Sequence, residues 1–326
     1  MPSLIARADR FALHEPFRIS NHIWHAVEVL TVILEEGGMR GWGEGAPIVY
    51  HGESAESLCA EVEAMRAALE GGLSRQALQE AMAPGGARCA IDCALWHLEA
   101  QRAGKPVHRL AGLPEPSPLV SAITISLNTP AKMRADAEGY RAYPLIKVKL
   151  GGPDDEVCLR AVRAGAPNSR LTVDANTGWD IAKLKALEPL LVECGVILIE
   201  QPLPRDLDED LRGFTSRIPL CADESCQTAA DVPGLVGKYQ VGSIKLDKTG
   251  GLTGALEAKS ALEAAGMKLM VSCMVGTSLG MAPARLIAPA CYVVDLDGPM
   301  NAAEDRVPPI VYTNGMMNVT PKELWG

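Results

Sequence analysis

The chain has 326 residues, 48% hydrophobic and 22% charged, a balance that suits a soluble globular protein of one large or two ordinary domains. A formal net charge of -9 with no long basic run argues against nucleic acid or an anionic membrane surface as a partner. No apolar run approaches the roughly 20 residues that cross a bilayer.

The opening stretch, "MPSLIARADRFALHEPF", lacks a continuous apolar core, so a signal peptide is not expected. The nine cysteines contain no CxxC pair, and a reduced, cytoplasmic protein is the plain expectation. "AVEVLTVILEEGGMRGWGEGAP" (26–47) reads as strands around a Gly-Gly turn at 37–38. "ESAESLCAEVEAMRAALEGG" and "ARCAIDCALWHLEAQRAGK" then carry helical periodicity, each stopped by glycine. These spans make residues 1–115 an α+β domain, closed by the proline-rich joint "LPEPSP".

Beyond the joint, apolar runs recur at 121–127, 146–150, 171–176, 196–202, 219–225, 243–248, 269–274 and 292–298, most of them separated by helical text. Eight such strands over residues 116–300 predict an α/β fold, a (β/α) barrel of the TIM type capped by the N-terminal domain. The tail, 301–326, has an Asn-Gly turn between short runs and is expected to pack back on the cap.

In such a barrel the chemistry gathers where strands end. In "IKVKL", Lys147 and Lys149 share one face, and Ile146, Val148 and Leu150 share the other. Asp174, Glu200 and Asp223 end the next three strands, and Lys245 lies on the sixth. Singly, each carboxylate is as well explained as a helix cap. Together, three converging carboxylates repel one another unless a cation sits among them, and an all-oxygen ligand set suits Mg²⁺. A structural ion-pair cluster with the lysines is the bland rival. Lys149 and Lys245 would then flank the metal, with Lys147 lowering the proton affinity of its neighbour or helping to neutralise a bound anion. All six histidines precede the barrel, which excludes a histidine base within it unless the cap reaches over.

The sequence "KVK", "DAN", "EQP", "DES" and "IKLDKTGG" on successive strands behind an α+β cap resembles the enolase superfamily, in its muconate-lactonizing subgroup. The resemblance runs over nearly the whole chain. It implies Mg²⁺ ligation by Asp174, Glu200 and Asp223, with Lys149 and Lys245 as acid/base groups on opposite faces of the substrate's α-carbon. "VVDLDG" is similar to the DxD of dipeptide epimerases, which implies that Asp295 and Asp297 bind a free α-ammonium group. The implied reaction is 1,1-proton transfer at the C-terminal residue of a dipeptide, L-Ala-D/L-Glu or a related one. Resemblance further implies Thr124 and the Cys273, Met274 and Val275 segment as substrate contacts. A cap loop bearing Arg18, His22 and Trp24 would set specificity, with a pocket for a side chain other than glutamate, apolar or aromatic. The alternative on the same fold is o-succinylbenzoate synthase or muconate cycloisomerase chemistry, which needs no DxD. Capped barrels of this kind often form homo-oligomers, although the sequence carries no interface signature.

Overall fold

An antiparallel sheet of three strands, Ser3–Arg18, Ile23–Glu36 and Met39–Gly45, forms the first layer. The computed structural model describes residues 1–326. Gly37 and Gly38 take φ of 58° and 82°, the backbone that a two-residue hairpin requires. The first strand is not among the elements expected from the sequence. It lies at the sheet edge, and Leu4 is its one fully buried side chain, so its hydrophobic alternation is faint.

The third strand packs on the helix Gly86–Ala103 at unusually short range. A Cβ on Gly41, Gly43 or Gly45 would stand 2.1, 1.9 or 2.0 Å from a carbonyl oxygen of that helix. The alternate glycines of "GWGEG" therefore let strand and helix backbones touch. Gly43→Ala should destabilise the protein by about 3 kcal/mol, the upper end of over-packing costs, because a backbone carbonyl cannot rotate away. Urea denaturation measures it.

The same helix docks the cap on the barrel. Arg88 Nη2 donates to Thr249 O at 2.7 Å, and Asp92 Oδ2 accepts from Thr253 N at 2.9 Å, capping the helix Leu252–Ala264. Gly250 and Gly251, at φ 72° and 109°, leave the room: a Cβ there would lie 2.2 Å from Arg88 and 2.5 Å from Asp92. A second junction carboxyl, Asp247, accepts from Ala46 N at 2.8 Å. Burial pushes Asp92 up to about 6 and Asp247 up to about 7. Both hold a proton in the folded chain that the unfolded chain has released, so their stabilising contribution is present below the ordinary carboxyl pKa and fades as pH rises towards 7. Asp247→Asn, which keeps the acceptor, should flatten the decline of melting temperature between about pH 4 and 7.

The barrel's eight parallel strands run in sequence order: Ile123–Ile125, Leu145–Lys149, Arg170–Asp174, Val196–Glu200, Leu220–Ala222, Val241–Ile244, Lys268–Ser272 and Val293–Asp295. Ala122 N donates to Val294 O at 2.8 Å, joining the last strand to the first. Inside, Leu145, Leu198, Cys221, Val241, Met270 and Val293 form an apolar layer with Ala122. Outside, Ile146, Val148 and Leu150 join the main core under the helices. Leu145, Lys147 and Lys149 thus point inward together, and the layers above the apolar one are charged.

The tail returns through a hairpin whose Asn314 and Gly315 take φ of 48° and 81°. Its Arg306 bonds Asp9 Oδ2 (2.6 Å), Thr31 Oγ1 (2.7 Å) and Glu44 Oε2 (2.8 Å), one residue from each cap strand. Trp325 Nε1 donates to Trp42 O at 3.0 Å.

Candidate active site

In-register pairing sets the strand ends side by side: Lys149 opposite Asp174, Asp174 opposite Glu200, and Glu200 opposite Cys221. A bulge is needed for this. Leu171 pairs Val196 but Thr172 pairs Leu198, so Ile197 is the extra residue that advances Glu200, rather than Ile199, to Asp174's level.

The ammonium groups sit among these carboxylates. Lys147 Nζ lies 2.8 Å from Glu200 Oε2, 2.8 Å from Asp295 Oδ2 and 3.1 Å from Asp174 Oδ2. Lys149 Nζ donates to Asp174 Oδ2 at 2.6 Å and to Asn176 Oδ1 at 3.1 Å. Lys245 Nζ donates to Asp223 Oδ2 and Lys248 Nζ to Asp223 Oδ1, both at 2.6 Å. Two motifs steady the ligand candidates. Gln201 of "EQP" accepts from the Asp223 and Ser225 amides at 2.9 and 3.1 Å, and Asn176 N donates to Asp174 Oδ1 at 2.8 Å.

Lysine ammonium groups lie between the three carboxylates: Lys147 spans Asp174 and Glu200, and Lys245 sits on Asp223. Burial alone would lower the proton affinities of Lys245 and Lys147, but Asp223 and Glu200 outweigh it for Lys245, and Asp295, Glu200 and Asp174 do so for Lys147, so both are held well above the ordinary lysine range. For the carboxylates, burial pushes upward. Lys149 and Lys147 overcome it at Asp174, and Lys245 and Lys248 at Asp223, leaving both below the usual range.

Glu200 is the exception. Burial, reinforced by Asp174, pushes it up to about 8, and neither carboxyl oxygen has a hydrogen-bond partner; Lys147 approaches Oε2 off-line. A fully buried carboxyl with both oxygens unsatisfied lacks a partner. Beside Asp174 and Asp223 it completes a hard-oxygen donor set that fits a divalent cation such as Mg²⁺.

A cavity of about 540 Å³ opens at these strand ends, between cap and barrel. Lys149 at the end of strand two and Lys245 just after strand six line it, with Cys273, Met274 and Val275 from the segment after strand seven and His22 and Trp24 from the cap. Lys248, fully buried on Asp223, does not reach it. The cap therefore does bring a histidine over the barrel. Its loop is fixed by Ser20 Oγ donating to Asn176 O at 3.0 Å, and by His22 packed edge-on against Trp24 at 4.3 Å.

Other expected residues lie elsewhere. Arg18 lines a separate groove beside Asn128 and Asp154, since the residue ends a strand whose pairing turns it from the cavity. Thr124, Asp295 and Asp297 are buried: Asp295 accepts from Lys147, and Asp297 Oδ2 accepts from Thr124 N at 2.6 Å. Burial, then the Asp295 charge, pushes Asp297 up to about 7. The cavity also exposes residues not singled out from the sequence: Tyr50, Asn176, Glu224 and Arg205. Asn176 and Glu224 stand within the "DAN" and "DES" motifs; Tyr50 and Arg205 lie outside the motifs quoted above.

Comparison with known proteins agrees with this architecture. The family model for the mandelate racemase / muconate lactonizing enzyme N-terminal domain matches residues 1–112, and that for the enolase C-terminal domain-like family matches residues 128–323. N-acetyl-D-glutamate racemase of a Pseudoalteromonas species is 39% identical over 300 residues, 91% of this chain and 95% of that protein. L-Ala-D/L-Glu epimerase of Escherichia coli (strain K12) is 38% identical over 313 residues, 95% and 98% of the two chains. Among solved structures, an enolase family member from Agrobacterium tumefaciens with homology to dipeptide epimerases superposes with a TM-score of 0.97 at 45% identity, over 100% of both chains. That structure holds sodium and L-Ala-L-Glu, with an ordered loop. With both domains matched in order on one chain, the protein belongs to the mandelate racemase / muconate lactonizing enzyme family, a branch of the enolase-like proteins.

Proposed function

We propose that the protein is an isomerase, a dipeptide epimerase that moves the α-proton of a dipeptide's C-terminal residue between its two faces. The observation that carries this is the pair Lys149 and Lys245, which enter one cavity from strands on either side of Asp174, Glu200 and Asp223. A 1,1-proton transfer needs two acid/base groups, each within hydrogen-bond reach of the proton path. Lys245, kept as ammonium by Asp223, is in the donor's state; Lys149 faces it as the receiving group, and the roles exchange in the reverse direction. Asp174, Glu200 and Asp223 would hold Mg²⁺, which would supply positive charge beside the substrate carboxylate as the proton leaves. Structures of dipeptide epimerases holding Mg and a dipeptide, such as that from Enterococcus faecalis V583 at 28% identity and a TM-score of 0.89, support the assignment.

In this reading residues 1–115 select the substrate, 116–300 carry the chemistry and 301–326 fasten the cap. Murein peptides are the proposed source of the dipeptide and the cytoplasm the proposed location. The nine free cysteines fit a reducing compartment. A small-molecule dipeptide is the ligand in this reading.

Incubation with a dipeptide library in D₂O and Mg²⁺ should give α-deuterium at the C-terminal residue, and EDTA should abolish it. A second reading, racemisation of an N-acylated amino acid, is favoured by Asp295 and Asp297 being engaged by Lys147 and Thr124. N-acetylglutamate in the same library decides: exchange there with none on dipeptides overturns the first reading.

A further inference from the structure

The specificity loop brings no arginine to the cavity. Arg18 lines the neighbouring groove, and Ile19, His22 and Trp24 face inward instead. From the opposite side, the loop after strand four inserts a cation. Arg205 follows "EQPLP" and lines the same cavity. Its guanidinium makes no hydrogen bond within the chain, and the one carboxylate within ion-pair range, Asp231 Oδ1, is 3.9 Å away, beyond hydrogen-bond reach. Its side chain is 51% exposed, whereas Lys149 and Lys245 are nearly buried, so Arg205 stands nearer the mouth.

Charge balance points the same way. Of the three basic side chains that line the cavity, Lys149 and Lys245 are already engaged by Asp174 and Asp223, which leaves Arg205 as the source of an uncompensated positive field; the one lining acid, Glu224, has Oε1 accepting from Asn176 Nδ2 at 3.3 Å. A dipeptide ending in an apolar residue offers one carboxylate to that field. One ending in an acidic residue offers two, and a planar guanidinium can grip the second with paired hydrogen bonds.

We infer that Arg205 is the specificity-determining residue of the cavity, selecting dipeptides whose epimerised residue carries an acidic side chain. The inference rests on the epimerase reading and reverses the expectation from the loop alone, because a cation reaches the cavity from the barrel. The apolar Ile19, Val49 and Trp24 would then line the methylene part of the side chain.

The test compares kcat/KM for L-Ala-L-Glu and L-Ala-L-Gln, which match in shape and differ in charge. The native enzyme should prefer Glu at least tenfold. In Arg205→Gln the Glu/Gln ratio should fall about ten- to hundredfold, as for the loss of a hydrogen bond to a charged group, with most of the change in KM. Arg205→Glu should place L-Ala-L-Lys above L-Ala-L-Glu. A Glu/Gln ratio that is the same in the native enzyme and Arg205→Gln overturns the inference, as does a native preference for L-Ala-L-Leu. Exchange on no dipeptide at all overturns the epimerase reading, and this inference with it.

Discussion

Lys245→Gln and Lys149→Gln should each lower epimerisation by about 10²–10⁴-fold, the range of a positioned acid/base group, while failing in opposite stereochemical senses. Neither change should unfold the site. Asp223 keeps both of its 2.6 Å contacts from Lys248 Nζ, one at Oδ1 and one at its carbonyl oxygen, when Lys245 is neutral. Asp174 keeps Lys147 at 3.1 Å and the Asn176 amide at 2.8 Å when Lys149 is neutral. With the two lysines on opposite faces of one α-carbon, each variant loses proton exchange at one epimer and retains it at the other. Proton NMR in D₂O on the L,L and L,D dipeptides reads both rates separately. Loss of exchange at the same epimer in both variants would mean that the lysines act on one face, and the two-base mechanism would fall.

The reason Lys147 and Lys149 could be picked out from sequence is periodicity. A β-strand fixes side-chain direction every second residue, so "IKVKL" commits both lysines to one face without knowledge of the fold. Strand ends then collect at one rim of the barrel whatever lies between them. What escaped depended on register or on distance. Ile197, the bulge residue that aligns Glu200 with Asp174, is an ordinary apolar letter in an apolar run. Lys147 was placed on the correct face, but its three acidic contacts, including one to Asp295 at the far end of the chain, exist only once the barrel closes. The long first strand was hidden because it buries one residue, and Arg205 because it lies in a loop, where no period constrains direction.

Glu200→Gln separates the metal reading from a purely structural ion-pair cluster, because the two predict opposite signs. If the carboxylates and lysines existed to hold one another, removing one buried partner would destabilise the fold by about 3–5 kcal/mol, and Mg²⁺ would change nothing. The geometry argues otherwise. Glu200 carries two buried oxygens without hydrogen bonds, and burial has already pushed it up to about 8, so its ionised form costs the metal-free fold free energy. Lys147 keeps Asp174 and Asp295 when Glu200 is neutral. The metal-free Glu200→Gln protein should therefore melt no lower than the native chain at pH 8. The native protein should gain stability with Mg²⁺, by about 2.7 kcal/mol when the ion is a hundredfold above its dissociation constant. The variant should lose most of that gain and, with it, the α-proton exchange. Differential scanning fluorimetry with and without Mg²⁺ gives both signs in one experiment. A variant that melts lower without metal, beside a native protein indifferent to Mg²⁺, would establish the cluster as structural.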